Sequence, residues 1–185
     1  GNTRRFGASL DKIKQVVDVR DGEIMFGLNM VVHKGKTIFV GDTSVHEYPT
    51  SEQMAEIAIS TARVVRLFGF DPKVAFVSHS TFGQPLTSRT KHIRNAVDIL
   101  KERKVDFEFD GDMQPDVALN PEYEELYPFS KIVGKANILI MPGQHSAAIS
   151  YKMMKTLGDT KVIGPLLIGL GLPIEIAPLR SSTSE

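Results

Sequence analysis

Two short polar segments of the chain carry side chains that could bind an anion. Each follows an apolar segment that resembles a buried strand, and each leads into a predicted helix. The two segments supply six candidate residues: Ser78, Ser80 and Thr81 in the first, and Gln144, His145 and Ser146 in the second. Hydroxyl groups, free backbone N–H groups and the positive end of a helix favour a phosphate or a similar anion.

The same residues also allow simpler interpretations. Many polar loops only connect a strand to a helix, and the first segment matches neither a P-loop nor a GxGxxG motif. His145 could donate to an anion or act as a base. Alternatively, it could lie at the start of a helix without a functional role.

A third polar segment is acidic and contains Asp110, Asp112 and Asp116. Oxygen ligands of this kind suit a divalent cation. Alternatively, Asp112 and Asp116 could stabilise the amino terminus of a helix through its dipole. We assign no metal ligand and no catalytic residue from these patterns.

The elements that must position these segments alternate between strands and helices from Thr50 onward. Strands are predicted at 74–78, 106–110 and 136–141, with a turn at Gly111. Helices are predicted to begin at the capping box of Thr50 and at the caps Ser88 and Ser146.

The earlier part of the chain adds other elements. A helix is predicted at 9–19, two short strands at 24–28 and 30–33, and a hairpin through Lys34-Gly35. A further strand is predicted to begin at Val162. The whole pattern predicts an α/β protein, a three-layer α/β/α sandwich with a mixed, mostly parallel sheet, in one domain that covers residues 1–185.

Composition excludes several classes of function. The 185 residues contain 22 basic and 22 acidic side chains, which argues against a nucleic-acid-binding surface or a polybasic membrane patch. The absence of cysteine excludes disulfides and thiolate chemistry. The absence of cysteine also fits a cytoplasmic protein, which we expect. No apolar run reaches the length of a membrane span, and these residues show no signal-peptide pattern. The first and last residues lead us to expect a domain of a longer polypeptide.

Several segments, kept in the same order, resemble the phosphate acetyltransferases. The matching segments are 50–60, 77–81, 110–118 and 163–170, the last followed by Pro173. Within that family, segments 106–113, 117–120, 127–129 and 141–147 look like the acetyltransferase-like carboxy-terminal region of bacterial NADP-dependent malic enzymes.

This resemblance implies a fold like that of isocitrate and isopropylmalate dehydrogenases. It also implies that acetyl-CoA or CoA binds near the two polar segments as an effector, with Arg89 or Arg180 close to its phosphates. No cofactor is expected within these residues. The malate site, the NADP site and a divalent metal, Mg or Mn, would belong to an upstream domain. The apolar, Gly-broken segment 162–172 is longer than one strand needs, and together with the resemblance it leads us to expect a homo-oligomer, specifically a homodimer.

The chain departs from the family pattern near its end. Active phosphate acetyltransferases carry an Asp-Leu-Ser-Arg-Gly segment there, whose Ser and Arg align with Pro178 and Leu179. Arg180 is displaced by one position, and a catalytic Asp aligns with Glu185. Loss of a positioned base and an anion clamp removes transition-state stabilisation, whereas ligand binding can persist.

Three functions remain open at this point. The first is a regulatory domain that binds acetyl-CoA and controls a malic enzyme. The second is an active phosphate acetyltransferase, which converts acetyl-CoA and phosphate to acetyl-phosphate and CoA. The third is a structural domain whose task is oligomerisation.

Overall fold

A six-stranded mixed sheet forms the centre of the protein, and the computed structural model describes residues 6–176. The helices are α1 (Phe6–Val16), α2 (Ser51–Leu67), α3 (Ser88–Glu102), α4 (Pro115–Leu119) and α5 (Gln144–Leu157), with a 3₁₀ turn at Pro121–Glu125. The strands are β1 (Phe26–His33), β2 (Lys36–Gly41), β3 (Lys73–Val77), β4 (Glu108–Met113), β5 (Ile138–Ile140) and β6 (Thr160–Ile168).

The strands follow the order β4-β3-β5-β2-β1-β6 across the sheet. β2, β5, β3 and β4 pair in parallel, whereas β1 pairs antiparallel with both β2 and β6. The mixed, mostly parallel sheet predicted from the sequence is therefore confirmed.

Helices cover both faces of the sheet. On one face, apolar side chains of α2 and α3 pack against Phe39, Phe76 and Ile138. On the other face, α4 and α5 contribute Ala118 and Ala147 to a second core. β3 and β5 are buried on both faces, as their continuous apolar sequences predicted. None of the helices within residues 6–176 is long and apolar enough to cross a membrane.

The prediction of a turn at Gly111 is wrong, because β4 continues through Gly111 to Met113. Gly111 has a φ of +151°, and a Cβ built at this position would lie 2.7 Å from the carbonyl oxygen of Phe76 on the neighbouring strand. Glycine allows the backbones of β3 and β4 to approach there, so its presence reflects sheet packing and not a turn.

Several predicted boundaries also change. The two short strands predicted at 24–28 and 30–33 are one strand, β1, whose pairing with β6 is irregular between Leu28 and Met30. α1 begins and ends three residues before its predicted bounds, and α4 was not predicted.

Two of the three predicted helix caps are wrong. The capping box at Thr50 is confirmed, but α3 is capped by Thr87 in a capping box with Thr90, and not by Ser88. Ser146 lies inside α5, whose N-cap residue is Gly143. Hydroxyl residues that adjoin one another can all satisfy the capping pattern, so the sequence alone does not select between them.

We expect Gly111→Ala to lower the free energy of unfolding by about 3 kcal/mol or more, since it combines a backbone clash with an unfavourable φ. Urea unfolding monitored by circular dichroism measures this change. Gly134→Ala is the matched control: its φ is +80°, but no atom lies within 4 Å of the added Cβ. In that control the free energy of unfolding should fall by only about 1–2 kcal/mol. An equal decrease in the two variants would contradict the packing role of Gly111.

Candidate functional site

Four parallel strands end at one edge of the sheet, and the loops that follow them form the candidate site. The loop after β2 covers residues 42–50, the loop after β3 covers 78–87, and residues 141–143 connect β5 to α5. In open α/β sheets, ligands bind at the carboxyl ends of the strands.

A buried carboxylate organises the loop after β2. Asp42 is 1% exposed and accepts hydrogen bonds from the backbone N–H groups of Gly27 (2.8 Å), Ser44 (2.8 Å) and His46 (2.7 Å). Its second carboxylate oxygen also lies 2.7 Å from Nδ1 of His46. These donors compensate for burial of the charge and fix the backbone that leads to Glu47 and Tyr48.

A second buried carboxylate fixes the first of the two predicted anion-binding segments. Asp112 is fully buried and accepts from the hydroxyl of Ser80 and from the backbone N–H of Gly83 at 3.0 Å. The Thr81 hydroxyl accepts from the N–H of Gln114 at 3.2 Å. The hydroxyls of Ser80 and Thr81 therefore connect the loop to β4.

The remaining acidic residues have separate surroundings. Asp110 accepts from the backbone N–H groups of Gly111 (2.9 Å) and Lys131 (2.8 Å), and Asp116 is exposed in the first turn of α4. Residues 6–176 contain no group of three or more His, Asp or Glu side chains arranged to hold a metal ion. The geometry therefore does not support the cation alternative for Asp110, Asp112 and Asp116.

The second predicted segment contributes to an exposed group of charged and aromatic side chains, which we call the Tyr48 surface and define as Glu47, Tyr48, Arg89 and His145. The rings of Tyr48 and His145 are stacked, with an interplanar angle of 13° and centroids 6.4 Å apart. The guanidinium carbon of Arg89 lies 5.9 Å from the centre of the Tyr48 ring, within range of a cation–π interaction. His145 Nε2 lies 3.2 Å from a carboxylate oxygen of Glu47.

A cavity of about 300 Å³ adjoins this surface. Its lining consists of Tyr48, Pro49, Ser88, Arg89, His92, Ile93 and Pro142. The His92 ring is held by the Pro49 carbonyl at 2.8 Å and by the Ser51 hydroxyl at 3.1 Å.

The pKa of the Glu52 carboxyl lies below its ordinary value because of a hydrogen bond with its own backbone N–H, with smaller contributions from the Thr50 side chain and the charge of His92.

The amino terminus of α5 also lies at this edge of the sheet. Its N-cap residue, Gly143, provides no side-chain cap, unlike the capping boxes of α2 and α3. The N–H of Gln144 donates to the backbone carbonyl of His46 at 3.2 Å, and that of Ala147 donates to the carbonyl of Gly143. Among residues 6–176, no acceptor occupies the N–H groups of His145 and Ser146, so this helix end retains donors for an anion.

The structure divides the predicted site residues into two groups. Ser78, Ser80 and Thr81 are buried beside β4, and the Ser78 hydroxyl accepts from the N–H of Ser80 at 3.3 Å. Arg89, Gln144, His145 and Ser146 lie with the loop after β2, where the Gln144 side chain donates to the Ser44 carbonyl and the Ser146 hydroxyl to the Gly143 carbonyl. Arg180 lies outside the described residues.

Sequence reasoning missed Asp42, Glu47 and Tyr48, which lie in the loop after the predicted strand that became β2. The sequence predicts a hairpin for that strand, and a hairpin pattern does not indicate at which edge of the sheet the carboxyl end lies. The parallel pairing of β2 with β5 places it at the same edge as those of β3 and β5.

Fold and site together define a class: an α/β/α protein whose loops at the carboxyl ends of parallel strands present helix N–H groups and cationic side chains. Comparison with known proteins gives the particular family. The family model for phosphate acetyl/butaryl transferase matches residues 1–185, and the chain belongs to this family.

Solved structures and curated proteins agree with this assignment. The EutD phosphotransacetylase from Staphylococcus aureus superposes with a TM-score of 0.86 at 28% identity, over 98% of this chain and 57% of that one. A phosphate acetyltransferase of Bacillus subtilis is 32% identical over 86% of this chain and 50% of that protein.

The similarity extends to malic enzymes. The chain is 43% identical, over its full length, to the NADP-dependent malic enzyme of Rhizobium meliloti, and it spans 24% of that enzyme's length. The predicted resemblance to the acetyltransferase-like part of malic enzymes is confirmed.

The contact between Ser80 and Asp112 gives a direct test of how the site loop is held. Ser80→Ala should lower the free energy of unfolding by about 1.5–3 kcal/mol, because it removes a donor from a buried carboxylate. Asp112→Asn should also lower the free energy of unfolding. The decrease in the double variant should be smaller than the sum of the two single decreases, by about 1–3 kcal/mol. Ser88→Ala, at an exposed serine, is the control. If urea unfolding shows that the two single decreases in stability simply add in the double variant, the contact between Ser80 and Asp112 is contradicted.

Proposed function

We propose that this chain is an acetyl-CoA- or CoA-binding regulatory and oligomerisation domain of an NADP-dependent malic enzyme. Oxidative decarboxylation of malate to pyruvate belongs to another part of that polypeptide, upstream of this domain. NADP and the divalent metal, Mg or Mn, bind in that upstream part and not within these residues.

Two comparisons support the proposal. The match to the malic enzyme of Rhizobium meliloti covers all of this chain but only 24% of that enzyme. The family model and the solved structures relate the same residues to phosphate acetyltransferases. A domain related to phosphate acetyltransferases within a malic enzyme is suited to bind an acyl-CoA. The reaction of malate would then take place in another domain.

The observation that carries the ligand assignment is the Tyr48 surface at the amino terminus of α5. The uncapped N–H groups of His145 and Ser146, together with the guanidinium of Arg89, provide positive potential for CoA phosphates. Tyr48 is 68% exposed and provides an aromatic ring that a ligand can contact. Arg180, which lies outside the described residues, is a further candidate for the phosphates.

The alternative function is acetyl transfer from acetyl-CoA to phosphate. The substitutions that remove the family's Ser, Arg and Asp fall at Pro178, Leu179 and Glu185. All three lie outside the described residues. We assign no catalytic residue, and we expect no production of acetyl-phosphate.

Oligomerisation is supported by an exposed apolar row on α5. Ile149, Met153 and Leu157 follow one another at intervals of four residues and are 58%, 54% and 81% exposed. Side chains at this spacing form one row along a helix. We propose that a second copy of the chain covers this row.

The regulatory proposal predicts that acetyl-CoA binds and that Arg89→Gln weakens binding by about 1.5–3 kcal/mol, because a charge-assisted contact to phosphate is lost. Isothermal titration on the complete polypeptide measures the affinity, and malate turnover measures the response. Arg89→Gln and His145→Ala should diminish the response to acetyl-CoA while the basal rate persists. Lys91→Gln, on the same helix, controls for loss of charge, and absence of binding at millimolar acetyl-CoA would reject the proposal.

The oligomer proposal predicts that replacing Ile149 and Met153 together by Glu yields a monomer, since charges in a buried apolar contact are unfavourable. Sedimentation should change from twice the 20.4 kDa chain mass to that mass. Lys152→Glu, on the same helix but outside the apolar row, should remain dimeric. A monomeric parent chain at micromolar concentration would contradict the proposal.

A further inference from the structure

The described part of the chain contains a second and larger cavity, at the opposite edge of the sheet from the Tyr48 surface. Its volume is about 880 Å³, within the range of about 300–1,000 Å³ typical of small-molecule sites. It lies where β2, β3 and β6 begin, and it is bounded by the end of β1 and the carboxyl terminus of α5. We call it the lower cavity.

The wall of the lower cavity is mainly apolar and continues into the core. Val31, Ile38, Leu119, Met154 and Leu157 all line it. Val31 is buried in the second core, and Ile38, Leu119 and Met154 pack against that core. α4 ends at Leu119 and α5 at Leu157, so neither helix extends over this part of the sheet. The apolar area that these helices leave uncovered is therefore available to a ligand, and Leu157 is the one residue named here that also belongs to the exposed row of α5.

The charged groups of the lining are mostly basic. Lys36, Lys73 and Lys135 line the cavity with His33, whereas Asp71 is its single carboxylate. Lys73 is already engaged, because its Nζ lies 3.3 Å from Glu108 and donates to the Val133 carbonyl at 2.6 Å. Within residues 6–176, no carboxylate lies within 4.0 Å of the ammonium groups of Lys36 and Lys135.

We propose that the lower cavity binds an amphipathic organic anion, with an apolar body of medium chain length and a single anionic head group. The apolar wall receives the body, because burial of methylene groups is the main source of affinity at such a surface. Lys36 and Lys135 hold the head group at the rim, where an unpaired ammonium group can bind an anion at little cost in desolvation.

The cavity is separate from the proposed acyl-CoA site. None of its lining residues belongs to the Tyr48 surface or to the adjoining cavity of about 300 Å³. Arg89 and His145 lie at the carboxyl ends of the strands, whereas Lys36 and Lys73 are the first residues of β2 and β3. Substitutions at the lower cavity should therefore leave acetyl-CoA binding unchanged, and the two proposals can fail independently.

A series of linear carboxylates tests the proposal on the purified protein. Isothermal titration should show an affinity that rises about fourfold per methylene from hexanoate to octanoate, the increment expected for burial of a methylene group. Octanol, which lacks the anionic head, should bind at least about threefold more weakly than octanoate. Methyl NMR spectra should show octanoate shifting the signals of Ile38, Leu119, Met154 and Leu157.

Variants separate the head-group contact from the apolar contact. Lys36→Gln and Lys135→Gln should each weaken octanoate binding about threefold to tenfold, with unfolding midpoints unchanged. Lys152→Gln, an exposed lysine on α5 outside the lining, should change affinity by less than about twofold. Ile38→Trp, at a half-buried position in the apolar wall, should occlude the cavity and abolish the octanoate-induced shifts of Leu119, Met154 and Leu157.

Three results would overturn the proposal. Affinity that is independent of chain length, or equal binding of octanol and octanoate, would show that the cavity does not recognise an amphipathic anion. If Lys152→Gln weakens octanoate binding as much as Lys36→Gln and Lys135→Gln do, the attraction to positive charge is non-specific. Binding that appears only when Ile149 and Met153 are replaced by Glu would show that a second copy occupies the cavity.

Discussion

Two buried carboxylates are the constraint on which the candidate site depends. A loop that leaves the end of a buried strand loses the hydrogen bonds of the sheet, yet its backbone groups still require partners. Asp42 supplies acceptors for the loop after β2, and Asp112 does so for the loop after β3. Each carboxylate is in turn stable in the interior because polar groups donate to it: several backbone N–H groups at Asp42, and the Gly83 N–H with the Ser80 hydroxyl at Asp112. The loops and the acids therefore stabilise each other.

This arrangement decides which polar side chains can face a ligand. Ser80 and Thr81 have the chemistry of an anion site, but Asp112 and the N–H of Gln114 engage their hydroxyls. At the amino terminus of α5 the opposite holds, because Gly143 brings no capping side chain and the helix N–H groups remain available. Positive potential is therefore concentrated where Arg89 and His145 meet Tyr48.

The two edges of the sheet favour different kinds of ligand. At the carboxyl edge, fixed dipoles and a few charged side chains surround a small cavity, which favours phosphates of a defined geometry. At the amino edge, a larger apolar cavity with a basic rim favours burial of an apolar body.

The sequence alone determined the layered α/β architecture, the central buried strands and the family resemblance, because each of these depends on local periodicity or on ordered short motifs. The sequence also predicted that Gln144 to Ser146 follow a buried strand, and the structure places them at the start of α5. Only the tertiary structure decided that Ser80 faces Asp112, that Gly111 packs within β4, and that Tyr48 joins Arg89 and His145. These contacts connect residues far apart in the chain, and they follow from the order in which the strands pair. Spacing along the sequence does not fix that order.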